Sequence, residues 1–208
     1  YGHDGLKRKA LGFCMTIAHA EFMAEEFNKR GIPSIALSGG DKVSKREAYT
    51  KLLEAEDSDL EVIFTVDIFN EGIDIPGVNL VMMLRPTQSS IIFTQQLGRG
   101  LRKKDNKEFL TVLDFIGNYS KSFLIAIALN GRRFYDKDSV KTSVKRNFSA
   151  LPGATDIQLD EISKQQILEQ IDFENFSTLS YLKNTYNEFK NLNNGRIPWL
   201  LQDYLKVD

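Results

Sequence analysis

The residues best suited to chemistry lie in 91–102, IIFTQQLGRGLR. On a helix Gln95, Arg99 and Arg102 fall at i, i+4 and i+7, which is one face. Phe93, Leu97 and Leu101 stack on roughly the opposite side. The segment therefore has an apolar face to bury and a displayed face of one amide and two guanidiniums. A guanidinium donates in pairs from a planar fork and keeps its charge near neutral pH, so two of them on one turn are expected to aim at a phosphate outside the fold.

A second segment, TVDIFNEGIDIPGV at 65–78, follows an apolar run. Gly72 suits a positive-φ turn or close approach of backbone to a ligand. Asp74 is placed to accept from sugar hydroxyls or to pair with an arginine; the plainer alternative is a loop whose acids cap a turn. Pro76 stops a helix and Gly77 turns the chain into the next run.

Elements must hold these segments in place, and the first 130 residues alternate regularly. Short apolar runs at 10–17, 33–38, 61–67, 79–85 and 109–117 have strand length. Between them lie amphipathic stretches: 18–30, with Phe22, Met23 and Phe27 expected inward, and 41–56, with Ala48, Leu52 and Ala55 expected inward. The arginine helix separates the last two strands, and a further helix is expected over 119–130. Continuous apolar strands alternating with helices predict an α/β fold, a parallel sheet with helices on both faces. Function in such sheets gathers at the carboxyl ends of the strands. The candidate loops are thus Ser38-Gly39-Gly40, 67–77 and the entry to the arginine helix.

Composition narrows the classes. The 208 residues, 42% hydrophobic and 26% charged, are ordinary for a globular protein, and a net charge of −1 makes any nucleic-acid site local rather than global. The single cysteine, Cys14, sits in an apolar run and reads as core; one cysteine excludes an internal disulfide and fits a reducing compartment. No apolar stretch approaches the roughly 20 residues a membrane helix needs. The start, YGHDGLKRK, lacks a signal-type apolar region and a Met, so a cytoplasmic fragment of a longer chain is expected. His19 reads as a surface or cap residue, and Asp114 as a structural residue in a buried-looking strand. Past 131 the texture changes. Residues 132–150 are rich in Lys and Arg and read as a basic linker or solvated face, able to touch a nucleic-acid backbone. From 151 to 208 the pattern is helical, with Leu179, Leu182, Tyr186 and Phe189 as an apolar stripe and a last helix near Pro198.

Taken together, GFCMTIAHAEFMAEEF (12–27), SGGDKVSKRE (38–47), Gly72-Ile73-Asp74 and Gln95-x-x-Gly98-Arg99-x-x-Arg102 occur in the order and spacing of the second RecA-like lobe of superfamily 2 helicases and translocases, motifs IV to VI. The resemblance covers about residues 8–130. It implies that Arg102 is the arginine finger on the γ-phosphate of ATP and Arg99 its companion. It implies that Gly72, Asp74 and Gln95 lie near the nucleotide, and that Ser38, Gly39 and Thr65 contact a nucleic-acid backbone. FNEGIDIP, LRPTQS and QQLGRGLR look closer to the DNA-acting branch, which makes DNA the expected partner ahead of RNA.

The chain holds no G-x-x-x-x-G-K-[ST] loop and no D-E-x-[DH] segment. The resemblance then implies that ATP and Mg²⁺ are held mainly by an N-terminal RecA-like lobe outside this sequence, so the fragment alone is expected to be inactive. The expected organisation is a helicase C-terminal lobe at 1–131, a basic linker at 132–150 and a helical accessory region at 151–208. The competing expectation is a non-catalytic nucleic-acid-binding or interaction module that keeps the fold but not the motor.

Overall fold

The computed structural model describes residues 6–66, 75–86, 98, 104–105, 107–115, 121–130, 136–151, 156–174, 178–179, 183, 186–187 and 190. The chain divides into two compact units, Tyr1–Leu129 and Asn130–Asp208.

The first unit is built on five parallel strands: β1 (Ala10–Phe13), β2 (Ser34–Ser38), β3 (Val62–Val66), β4 (Leu80–Met83) and β5 (Thr111–Asp114), in the order β2-β3-β1-β4-β5. Helix α1 (Ile17–Lys29) connects β1 to β2, α2 (Val43–Glu54) connects β2 to β3, and α3 (Phe123–Asn130) follows β5. The parallel α/β architecture expected from the alternating runs is the one observed. Register aligns Phe13 with Thr65 on one side and Met83 on the other, and Met83 with Asp114. Leu37 pairs with Thr65, which brings Ser38 level with Val66.

Two apolar cores cover the faces of this sheet. One joins Leu11, Phe13, Leu37, Ile63, Val81 and Met83 to Leu53 of α2 and Ile125 of α3; the other joins Ala10, Cys14, Val62, Phe64 and Met82 to Ala20 and Ala24 of α1. Cys14 is wholly buried, as expected for a core residue. Thr16 caps α1 by accepting from the His19 N–H at 3.1 Å, and Gly31, at φ +74, ends it where a side chain would be strained.

The helix faces differ in detail from the expectation. On α1 the inward stripe is Ala20, Met23, Ala24 and Phe27, spaced i, i+3, i+4 and i+7, while Phe22 is 58% exposed. Phe22 stands two residues from both alanines, about 200° round the helix, so it must face away. On α2 the inward residues are Tyr49, Thr50 and Leu53, whereas Ala48 and Leu52 are exposed. Leu53 and Leu52 offer similar apolar surface, but burying Tyr49 removes more from water than burying Ala48, and this sets the helix about 100° from the expected orientation.

In the second unit α4 (Lys137–Lys145) packs against α5 (Glu161–Phe173). Asp136 and Asp160 cap them by accepting from Ser139 N–H at 3.2 Å and Ser163 N–H at 3.0 Å. Part of the expected basic linker is therefore a helix. Its Val140 and Val144 are buried one turn apart, Lys141 pairs with Asp172 of α5, and the Lys137 ammonium donates to the Asp172 carbonyl at 3.1 Å. Leu179, expected on an apolar stripe, is 82% exposed, and Leu182, Phe189 and Pro198 lie outside the described residues.

One glycine is required by packing. A Cβ on Gly12 would lie 2.6 Å from Phe64 Cε1. The Phe64 ring is fully buried and held edge-on against Phe27 at 4.9 Å, so it cannot swing aside. Gly12→Ala is expected to cost about 1–3 kcal/mol and to lower the urea midpoint followed by circular dichroism. An unchanged midpoint would show that the ring is not held.

Candidate functional site at the carboxyl edge of the sheet

Because the strands are parallel and in register, their carboxyl ends form one edge. The ladder continues one step past the strands, with Cys14 N–H donating to Thr65 O at 2.8 Å, Leu84 N–H to Phe13 O at 3.0 Å and Phe115 N–H to Met83 O at 3.4 Å. Ser38, Val66, Cys14, Leu84 and Phe115 therefore stand nearly level. Residue 67 leaves directly from the end of β3, and the segment after 86 begins three residues past the end of β4. The chain thus enters both motif-bearing segments from this edge. Gly72, Asp74, Gln95, Arg99 and Arg102 themselves lie outside the described residues; Gly98 is described, as an exposed helical residue.

The Ser38-Gly39 turn is built by local hydrogen bonding. Ser38 N–H donates to Asp41 Oδ2 at 2.7 Å and Asp41 N–H returns to Ser38 O at 3.0 Å. Lys45, one turn into α2, pairs with Asp41 Oδ1 at 2.6 Å. The hydrogen bond from Lys45, then that from the Ser38 backbone, lower the Asp41 pKa, so the turn stays locked by a charged carboxylate. Gly39 and Gly40 are exposed at its tip, and nothing lies within 4 Å of where a Cβ on Gly39 would stand. A bare diglycine tip leaves its backbone open to close approach from outside the fold.

Thr65 is placed differently from the expectation. It is fully buried, and among the described residues its Oγ1 has no hydrogen-bond partner. A hydroxyl with no exposed surface presents nothing to a ligand outside the fold; it lies beneath the edge rather than on it.

Asp114 shares that row. Thr65, Phe13, Met83 and Asp114 are successive register partners, and neighbouring residues in a parallel ladder point to the same face. Asp114 Oδ2 is also buried without a partner among the described residues, and burial pushes its pKa from 3.8 up to about 6. Two unpartnered buried polar atoms in one row are unusual in a native fold. Sequence reasoning read Asp114 as structural; an acid ending a run of apolar strand residues was the available signal. Cys14, by contrast, is pushed by burial to about 12 and is an inert thiol. Among the described residues no group of three or more His, Cys, Asp or Glu is placed to hold a metal, and no helix is long and apolar enough to cross a membrane.

Residues 3–104 match the family described as helicase conserved C-terminal domain. IRC3 of Saccharomyces cerevisiae, named as a candidate ATP-dependent helicase, is 28% identical over 163 residues, which is 78% of this chain and 22% of that protein. The endonuclease subunit of the type I restriction enzyme EcoKI of Escherichia coli is 30% identical over 125 residues, 54% of this chain and 11% of its own length. The yeast DEAD-box splicing factor Prp28 shares the fold, with a TM-score of 0.55 at 15% identity over 85% of this chain and 34% of that one. The chain spans less than a quarter of the length of either curated relative.

Asp114 makes a test of the edge. Its folded pKa lies above its unfolded value, so its contribution to stability is fully present below about pH 4 and is lost as pH rises through about 6. Replacing it with Asn removes that loss. Above pH 7, Asp114→Asn is expected to be more stable than the parent by about 1–2 kcal/mol, allowing for its partial exposure, with the advantage gone at pH 4. Urea unfolding at pH 4, 5, 6 and 7.5 measures this; a pH-independent difference would refute it.

Proposed function

We propose, on the premise that residues 3–104 match the helicase conserved C-terminal domain family, that the chain is the second motor lobe of an ATP-dependent DNA helicase or translocase. The observation that carries this reading is that the matched span contains the whole Gln95-x-x-Gly98-Arg99-x-x-Arg102 face and the Gly72-Ile73-Asp74 loop, on a chain whose parallel sheet launches both segments from its carboxyl edge. The EcoKI relative, a restriction-enzyme subunit, supports DNA ahead of RNA as the track.

In this reading Arg99 and Arg102 donate from their guanidiniums to the terminal phosphates of a nucleotide presented by an N-terminal RecA-like lobe. Their charge is fixed before the reaction starts, so it stabilises developing negative charge without reorganising. Gly72 lets the backbone pass close to the nucleotide, Asp74 accepts from its ribose, and Gln95 extends the same polar face. ATP would supply the phosphoryl group and Mg²⁺ would offset its charge, both held mainly by the N-terminal lobe in this reading. Ser38 and Gly39 grip the nucleic-acid backbone through a hydroxyl and an exposed turn. Closure of the two lobes inserts the arginines, and reopening after hydrolysis advances the lobe along the strand. The one buried cysteine suits a reducing, cytoplasmic setting.

In the full-length protein, Arg102→Ala is expected to lower DNA-stimulated ATP hydrolysis by about 10³-fold or more while changing nucleotide binding much less. Near-normal turnover would remove the finger assignment. Hydrolysis of ATP by these 208 residues alone would contradict the division of the site between two lobes.

A further inference from the structure

The second unit holds a cavity of about 420 Å³ beside α4 and the turn that follows it. Its polar lining is Asp138, Ser139, Thr142, Ser143, Arg146 and Ser149. Its apolar lining is Phe148, Ala150 and Leu151. Asp138, Thr142 and Arg146 recur every four residues, with Ser139 and Ser143 beside them, so they form one stripe of the helix. Val140 and Val144 are buried on the other side. The sequence thus sets a carboxylate at one end of the stripe, a guanidinium at the other and hydroxyls between them.

The turn is a Schellman cap, which ends a helix on a left-handed residue. Asn147, at φ +47, donates its N–H to Val144 O at 3.0 Å, and Phe148 N–H donates to Ser143 O at 2.8 Å. Asparagine tolerates this conformation better than most side chains. Phe148 is left-handed too, at φ +56, and its ring is only 4% exposed, so its burial pins the turn. Ser149 N–H donates to Arg146 O at 3.1 Å and Leu151 N–H to Phe148 O at 2.9 Å. The turn supplies the second wall of the cavity.

The polar lining is largely uncommitted. Among the described residues, the Asp138 carboxylate, the Arg146 guanidinium and the hydroxyls of Ser139, Thr142 and Ser149 take part in no hydrogen bond or ion pair. Ser143 is engaged, donating its hydroxyl to Ser139 O at 3.1 Å. Asp138 and Arg146 line one cavity without pairing with each other, separated by about 12 Å of helix rise.

We infer that this cavity binds a nucleoside monophosphate unit whose base carries an amino group, guanylate above the others. The Arg146 guanidinium donates in pairs to the phosphate. Thr142 and Ser149 meet the sugar hydroxyls. The Asp138 carboxylate can only accept, and the base edge of guanine offers it two adjacent N–H donors. Phe148, Ala150 and Leu151 give the base plane an apolar surface. A bare phosphate would leave Asp138 facing a like charge, and a simple cation would leave Arg146 facing one. The volume lies in the range of small-ligand sites, about 300–1,000 Å³. The site belongs to the second unit alone and does not depend on the motor reading.

Calorimetric titration of the 208-residue chain with GMP, CMP, AMP and UMP tests this, with NMR shifts of the 138–151 amides locating the site. Saturable binding of one GMP per chain is expected, with UMP, which has no amino group, about tenfold weaker. Asp138→Asn is expected to close most of the gap between GMP and UMP. Arg146→Gln is expected to weaken all four by about tenfold or more, leaving the binding of guanosine, which lacks the phosphate, unchanged. Circular dichroism is expected to be unaltered in both. An oligonucleotide with a 5′-terminal guanylate distinguishes a strand end from the free nucleotide, and Asp138-dependent binding of either supports the site. The inference is overturned if no saturable binding appears, if GMP and UMP bind alike, if both variants bind GMP as the parent does, or if equimolar sodium phosphate displaces GMP. It is also overturned if Arg102→Ala abolishes binding that Arg146→Gln keeps, which would put the nucleotide at the motor half-site.

Discussion

The first unit depends on β1 having water on neither face nor either edge. Its four residues are all buried, and it is hydrogen-bonded in parallel to β3 on one side and β4 on the other. Such a strand can only be apolar and close-packed, and its one glycine is there because the Phe64 ring occupies the space a side chain would take. With β1 locked, register is locked in its neighbours, because a slip by one residue would turn every buried side chain to the wrong face. The alignment of Thr65, Phe13, Met83 and Asp114 across four strands is a consequence of that constraint, and so is the level carboxyl edge.

A parallel sheet also separates its two edges chemically. Strand ends that deliver loops collect at one edge, and strand starts, with the turns that lead into them, collect at the other. Here the carboxyl edge holds an exposed diglycine turn kept in shape by Asp41 and two buried polar atoms without described partners. The amino edge holds a recess lined by Lys7, Lys9, Lys104 and Lys107 together with Glu56 and Asp105. The chain runs from one edge to the other through 67–79 and again through 86–110, so both connections span the two chemistries.

Much of this was legible in one dimension because fully buried strands read as unbroken apolar runs. All five were located from 10–17, 33–38, 61–67, 79–85 and 109–117, each run enclosing the observed strand. Helix faces were less legible. Phe22 and Leu52 are large and apolar, yet both point to solvent, because the sheet accepts alanines from α1 and Tyr49 with Leu53 from α2. The basic run concealed a helix whose apolar content amounts to two valines one turn apart. Among site residues, the Arg99–Arg102 face is an expectation from spacing that lies outside the described residues. The burial of Thr65 could not be read from spacing, because it depends on what packs over the strand end.

The sequence by itself determined the class of fold and the chemistry on offer. Strand-length apolar runs alternating with helices have few ways to bury themselves, and two arginines one turn apart share a face on any helix. Tertiary structure alone decided which polar groups lie together. Asp114 and Thr65 are 49 residues apart in the chain and share a row only through register. Lys7, Lys9, Lys104 and Lys107 come from two distant stretches and share a cavity only because β1, β4 and β5 start at the same edge. Spacing along the chain fixes what one element displays; hydrogen-bonded register between elements fixes what those displays can meet.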